Sequence, residues 1–233
     1  LLSYLEKESC GARLGLIVNA DRADIQERTI NYLRQRYGIS AVETVAKNEA
    51  VEVPQLEVAI PVPHDPRALQ SPLGLAQLDE LARHIDREGP AADTKLRVWV
   101  SRNDARLRRV SNERSLRGLL RRYGFQVVEL ARLPIERQVH MFRNAEAIAA
   151  PHGAGLAHIA WCRPGTKVIE FFPTPGPGRR LRNASFDYWL ISLLRNLDYR
   201  GVLAGVAENR RDSFAIPEAL LVEALEAATL KPT

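Results

Sequence analysis

Residues 145–172 read AEAIAAPHGAGLAHIAWCRPGTKVIEFF, and this stretch decides the fold. Ala147 to Pro151 is a short apolar run of the kind a buried parallel strand shows, and Pro151 ends it by removing a backbone donor. His152 stands at the strand's exit. Gly153 and Gly155 lack a Cβ, so the chain can turn tightly and a ligand can approach its backbone before Leu156 to Cys162 begins a helix. The free N–H groups of that first turn, from Gly153 and Ala154 through Gly155 and Leu156, form an anion site. Arg163-Pro164-Gly165 stops the helix. Lys167 to Phe172 is a second apolar strand with one acid, Glu170, near its end, where it can accept hydrogen bonds from ribose hydroxyls. The dinucleotide fingerprint G-x-G-x-x-G competes with this reading, but its third glycine position is His158 and the acid follows only fifteen residues beyond Gly155.

Similar units extend on both sides, so the class is α/β. Upstream, Leu96 to Val100 is a strand that delivers Ser101, Arg102, Asn103 and Asp104 at its carboxyl end, where open α/β sheets bind ligands. A helix containing Leu116, Leu119, Leu120 and Tyr123 follows, then a strand from Phe125 to Leu130 and a helix opened by Pro134 at its first position. Downstream, Phe186 to Leu197 reads as an amphipathic helix, Gly201 to Val206 as a strand and Pro217 to Leu230 as a last helix. The first part of the chain holds strands at Leu14 to Val18, Ala41 to Ala46 and Val51 to Ile60, and helices at Ile25 to Tyr37 and Leu75 to Ile85. Arg87 to Asp93 is polar and contains Gly-Pro, which marks a domain boundary and gives domains of 1–88 and 89–233.

Chemistry-bearing residues concentrate at three places. Pro61 to Pro66 is a rigid loop exposing His64 and Asp65 side by side. That pair can perform acid–base work, or it can be a turn in which Asp serves local hydrogen bonding. Arg102 faces the His152 loop if their strands are neighbours, and a guanidinium can hold a diphosphate with two charge-assisted bonds. Asn112 and Glu113 are read either as the cap and first turn of the next helix or as functional groups. The loop at 173–185 carries Arg179, Arg180 and Arg182, as a lid or as a solvated hinge. His140 falls on a polar helix face and has no chemistry assigned to it. His152 and His158, six residues apart, lack the spacing of a helical zinc site, and no Asp-x-Asp pair occurs.

Four blocks keep a common order and spacing: SRNDARLRRVSNE (101–113), GFQVVEL (124–130), ERQVHMFRNAEAIAAPHGAGLAHIAW (136–161) and GTKVIEFFP (165–173). Together they resemble glycosyltransferase family 61, which includes bacterial capsular polysaccharide enzymes and eukaryotic xylosyl- and N-acetylglucosaminyl-transferases. The resemblance implies a GT-B architecture of two Rossmann-like lobes facing a cleft, with residues 1–88 on the acceptor side and 89–233 holding a nucleotide-sugar donor. The last helix would return to the first lobe. It further implies inversion at the anomeric carbon, a glycan or glycoconjugate acceptor, and neither obligatory metal nor cofactor. Donor binding is expected from Arg102, Arg109, Asn112, His152, the Gly153–Leu156 turn and Glu170. The catalytic set is expected among Glu113, His64, Asp65 and His152. A non-catalytic nucleotide- or sugar-binding lobe, and a nucleotide-sugar epimerase or hydrolase, are the alternatives.

Composition sets outer limits. The 233 residues suffice for one large or two small α/β domains. Two cysteines, Cys10 and Cys162, make no disulfide framework and fit a reducing compartment. No apolar run approaches bilayer length and no signal peptide opens the chain. The expected location is therefore the bacterial cytoplasm, with peripheral contact at the inner membrane face still compatible. The chain opens at Leu1 without Met, as a portion of a longer protein would. The net charge of +5 comes chiefly from arginines spread over helix faces without interleaved aromatics, a solvated surface rather than a nucleic-acid interface.

Overall fold

The computed structural model describes residues 15–22, 24–54, 72–86, 96–175, 186–208 and 212–233. His64, Asp65, the Arg87–Asp93 boundary, most of the expected strand at Val51–Ile60 and the arginines at 179, 180 and 182 lie outside them. Residues 51–54, which are described, form no strand, and Pro54 removes a ladder donor there. The chain divides into two compact units, Leu1–Arg87 and Glu88–Thr233.

The first unit contains a βαβ core. Strands β1 (Gly15–Asn19) and β2 (Ala41–Val45) pair in parallel, with Gly15 opposite Ala41. Between them runs helix α1 (Asp24–Tyr37), with Asp24 and Glu27 in its first turn and Arg34 and Arg36 in its last, each complementing the helix dipole. Gly38, at φ +65°, turns the chain out of that helix. Helix α2 (Pro72–Ile85) contributes Leu81 to a core of Tyr32, Leu33 and Ile39. Arg36 of α1 donates to Glu80 of α2 at 3.1 Å.

The second unit is an open, fully parallel five-stranded sheet. Its strands are β3 (Leu96–Val100), β4 (Phe125–Val128), β5 (Ala145–Pro151), β6 (Lys167–Thr174) and β7 (Asp198–Val206), in the order β4-β3-β5-β6-β7. The connections are α3 (Glu113–Arg122), α4 (Ile135–Arg143), a 3-10 helix (Ala154–Trp161) and α5 (Asp187–Leu194), and α6 (Glu218–Ala227) closes the chain. Within this unit the order is 2-1-3-4-5, a doubly wound, Rossmann-like arrangement that reverses direction between β3 and β5. From Ala147 to Pro151 β5 is continuously apolar and buried, because both its faces are covered there.

One local expectation is corrected. The segment after Gly155 is a 3-10 helix rather than an α-helix, and its Leu156 N–H is already bonded to the Gly153 carbonyl at 2.9 Å. In helix α6, Leu221, Ala224 and Leu225 are buried in the second unit's core with Trp99, Leu116 and Phe171. Replacing Leu221 by Ala is expected to destabilise the protein by about 2–5 kcal/mol in chemical denaturation, the cost of a buried cavity; a change under half a kcal/mol would contradict this packing.

Candidate functional site

The order reversal between β3 and β5 leaves a crevice at their carboxyl ends. A cavity of about 370 Å³ lies there, lined by Ser101 and Arg102 after β3, Leu130 and Ala131 after β4, and Ala154 and Gly155 after β5. Glycine is required here for space rather than for turning. Gly153 is extended, at φ 164°, a conformation open to any residue, but a Cβ on it would stand 1.7 Å from Nη1 of Arg102. The guanidinium of Arg102 therefore lies against the Gly153 backbone, where the sequence suggests an approaching ligand. Gly155 likewise lets the 3-10 helix approach Val100 and Leu130, to which a Cβ would come within 3.0 and 3.3 Å.

Arg102 donates from Nε and Nη2 to the Leu107 carbonyl at 3.2 and 3.0 Å, and among the described residues it bonds no carboxylate. Its pKa is lowered, first by burial and then by the positive charge of Arg108. Arg108 adopts φ +56°, and its Nε donates to the His152 carbonyl at 3.0 Å. Arg109, the arginine expected here, instead turns outward to the Ala105 carbonyl. The left-handed conformation at Arg108 turns the chain there, and of the two arginines Arg108 bonds the His152 loop.

His152 is 4% exposed. Its Nδ1 is hydrogen-bonded to Oε1 of Glu170, and Oε2 of Glu170 accepts from the Tyr199 hydroxyl at 2.6 Å. Strand register makes this chain: Ala150 pairs with Glu170 and Val168 with Tyr199, so His152, Glu170 and Tyr199 rise on one face of the sheet. Gly201, opposite Glu170, leaves room for the Tyr199 ring. The imidazole stacks on Phe172 at 4.9 Å between centroids and meets Tyr188 at 5.6 Å. Burial and the charges of Glu170 and Asp187 push the Tyr188 phenol up to about 12, and burial and Glu170 raise that of Tyr199 further, so both remain protonated donors.

Three expected site residues have other partners. Glu170 is fully buried between His152 and Tyr199, which withdraws it from a ribose. Glu113, 2% exposed, accepts from Trp99 Nε1, Ser101 Oγ and Asn103 Nδ2 at 3.0, 2.9 and 2.6 Å. Buried and engaged at both oxygens, it holds the exit of β3 in place. Asn112 makes no side-chain cap. Its amide donates to the Ile216 carbonyl at 2.8 Å and accepts from the Ile216 N–H at 2.9 Å, which fastens the arginine loop to the C-terminal segment. Gln138 donates to the carbonyls of Leu130 and Leu133, so its oxygen must accept from Nε2 of His158. Burial lowers the His158 pKa to about 4 and keeps the ring neutral.

Tyr188, Tyr199 and Arg108 are additions to the sequence reading. Strand β7 begins three residues before its expected start at Gly201, and the alternation across Tyr199 and Gly201 was the signal that would have included the tyrosine. Among the described residues no three His, Cys, Asp or Glu side chains converge as metal ligands would.

A doubly wound parallel sheet with two guanidiniums and an imidazole at its switch point belongs to the α/β domains that bind anionic ligands. The sequence profile of the family Glycosyltransferase 61 matches residues 19–169, from the end of β1 into β6, and the chain belongs to that family. It is accordingly a glycosyltransferase, an enzyme that joins a sugar from a donor to an acceptor. No curated protein matches it.

Two outcomes test this geometry. Gly153→Ala should drive the Arg102 guanidinium off the Leu107 carbonyl at a cost of about 1–3 kcal/mol, and a variant crystal structure with Arg102 unmoved would refute that contact. His158 binds a proton near pH 6.5 when unfolded but only near pH 4 when folded. The unfolded chain holds more protons between those values, so stability should fall as pH drops through that window, by up to about 3 kcal/mol. A pH series of denaturation midpoints in which His158→Gln keeps the same slope would remove this assignment.

Proposed function

We propose that the chain transfers a sugar from a nucleotide-diphosphate donor, a UDP-sugar by preference, to a glycan hydroxyl with inversion at the anomeric carbon. The reaction needs no metal and serves surface or capsular polysaccharide synthesis, at or near the inner face of the bacterial membrane. The two units act as the lobes of a GT-B enzyme, the second holding the donor and the first the acceptor.

One observation carries this reading. Arg102, partly withdrawn from water and repelled by Arg108, has only a backbone carbonyl as hydrogen-bond acceptor among the described residues. A cation in that state is relieved by a bound dianion, and the diphosphate of a nucleotide sugar provides one. Arg102 and Arg108 would then bind the diphosphate in the ground state and more strongly as it takes up charge on leaving. His152, held through Nδ1 by Glu170, would present its Nε2 to the phosphate or the sugar ring, and Tyr199 would position Glu170. The acceptor oxygen loses its proton and forms its bond to the anomeric carbon on one face. The bond from that carbon to the phosphate oxygen breaks on the other, and its electron pair departs with the diphosphate. Single displacement is supported by the burial of the two nearby acids, Glu113 and Glu170, neither of which lines the crevice where a glycosyl-enzyme would have to form. The base remains with His64 or Asp65 of the first lobe.

Calorimetric titration with UDP, GDP and CMP in EDTA tests the donor reading. One nucleotide should bind with micromolar affinity, Arg102→Ala should weaken it at least about tenfold, and Arg109→Ala by no more than about twofold. Absence of binding by all three, or binding only with divalent metal, would overturn the reading.

A further inference from the structure

A second concavity, an open groove of about 860 Å³, shares no lining residue with the crevice. One wall is the outer face of α3, where Arg114, Arg117 and Arg121 recur at one-turn spacing. Between them Gly118 has no side chain, and a Cβ there would meet nothing within 4 Å, so the wall is indented. Arg132 stands after the strand that lines the groove. Of the acids nearby, Glu129 pairs with Arg132 at 2.6 Å, and Glu113, 3.8 Å from Arg117, is saturated from inside. Arg114 and Arg121 form no ion pair among the described residues.

The groove is also lined by β4, an edge strand of the sheet, which among the described residues pairs with β3 alone. The Val128 carbonyl faces inward and accepts from the Ser101 N–H at 2.8 Å. Peptide groups alternate sides along a strand, so the N–H and carbonyl of Val127 face the groove. An edge strand with free peptide groups is a template for another chain.

We propose that this groove binds an extended acidic segment of a partner polypeptide, which adds a strand beside β4 and places carboxylates on the arginines of α3. Side chains on one face of a strand recur at about 6.8 Å, and Arg114 to Arg121 covers about 10 Å of helix, so three acidic residues at alternate positions span the stripe. A glycan or nucleic acid would meet the charges but has no peptide groups for Val127. The lining also lacks an exposed aromatic to stack on a base or enter a bilayer.

The probe is a fluorescein-labelled octapeptide alternating Glu and Val, followed by anisotropy with the full chain at low salt. The native protein should bind it. The double variant Arg114→Glu/Arg121→Glu should bind at least about tenfold more weakly, since each reversal replaces an attraction at the exposed wall with a repulsion. The same peptide N-methylated at alternate residues keeps its charges but cannot form a ladder, and it should bind native protein at least about fivefold more weakly. Equal binding of the methylated peptide would reduce the groove to a general polyanion site and overturn the proposal. So would no binding of the octapeptide, or its displacement by phosphatidylglycerol vesicles with unchanged response to N-methylation.

Discussion

The buried carboxylate–imidazole contact between Glu170 and His152 joins the core of the second unit to its crevice. A carboxylate at zero exposure is tolerated only when its oxygens are engaged, and here one side is met by the imidazole and the other by the Tyr199 hydroxyl. Those partners come from three adjacent strands, so a one-residue slip of β5 or β7 against β6 would strand the charge. The same contact fixes the imidazole against Phe172 and beneath Tyr188. Sheet register and the orientation of the functional histidine are one constraint viewed from two sides.

The cationic half is held differently, because Arg102 and Arg108 belong to a loop. Glu113 grips the loop's start through Ser101 and Asn103 and ties it to the buried indole of Trp99. Its far end is stitched to the last part of the chain. The Ser111 N–H donates to the Phe214 carbonyl, the Phe214 N–H to the Arg109 carbonyl, and the Asn112 amide pairs with Ile216. Such a frame lets Arg108 keep its left-handed conformation, which isolated non-glycine residues avoid. Two like charges are thereby held close together on one loop.

Sequence pattern and structure agree where periodicity governs. The apolar runs at 96–100 and 147–151 are strands, the spacing of Leu116, Leu119 and Leu120 gives α3, and family membership follows from the ordered blocks around the His152 loop. What pattern conveys poorly is the direction of a side chain. Arg108 and Arg109 are indistinguishable on paper, yet the loop's handedness turns one inward and the other out. Glu113 and Glu170 read as available acids because nothing local reveals that Trp99, Ser101 and Tyr199 consume them from 12 to 29 residues away in sequence. Gly153 illustrates the converse: its importance was legible, but the neighbour that forbids a side chain lies on another strand's exit.

The stitch between residues 109–112 and 214–216 has a consequence for the order in which the protein is made. Strands β3, β5 and β6 have all left the ribosome before Phe214 and Ile216 are synthesised, yet the arginine loop depends on those late residues. A nascent chain thus lays down these strands while its arginine loop is still unfixed. Arg102 and Arg108 reach their final positions only once residues 214–216 have been added.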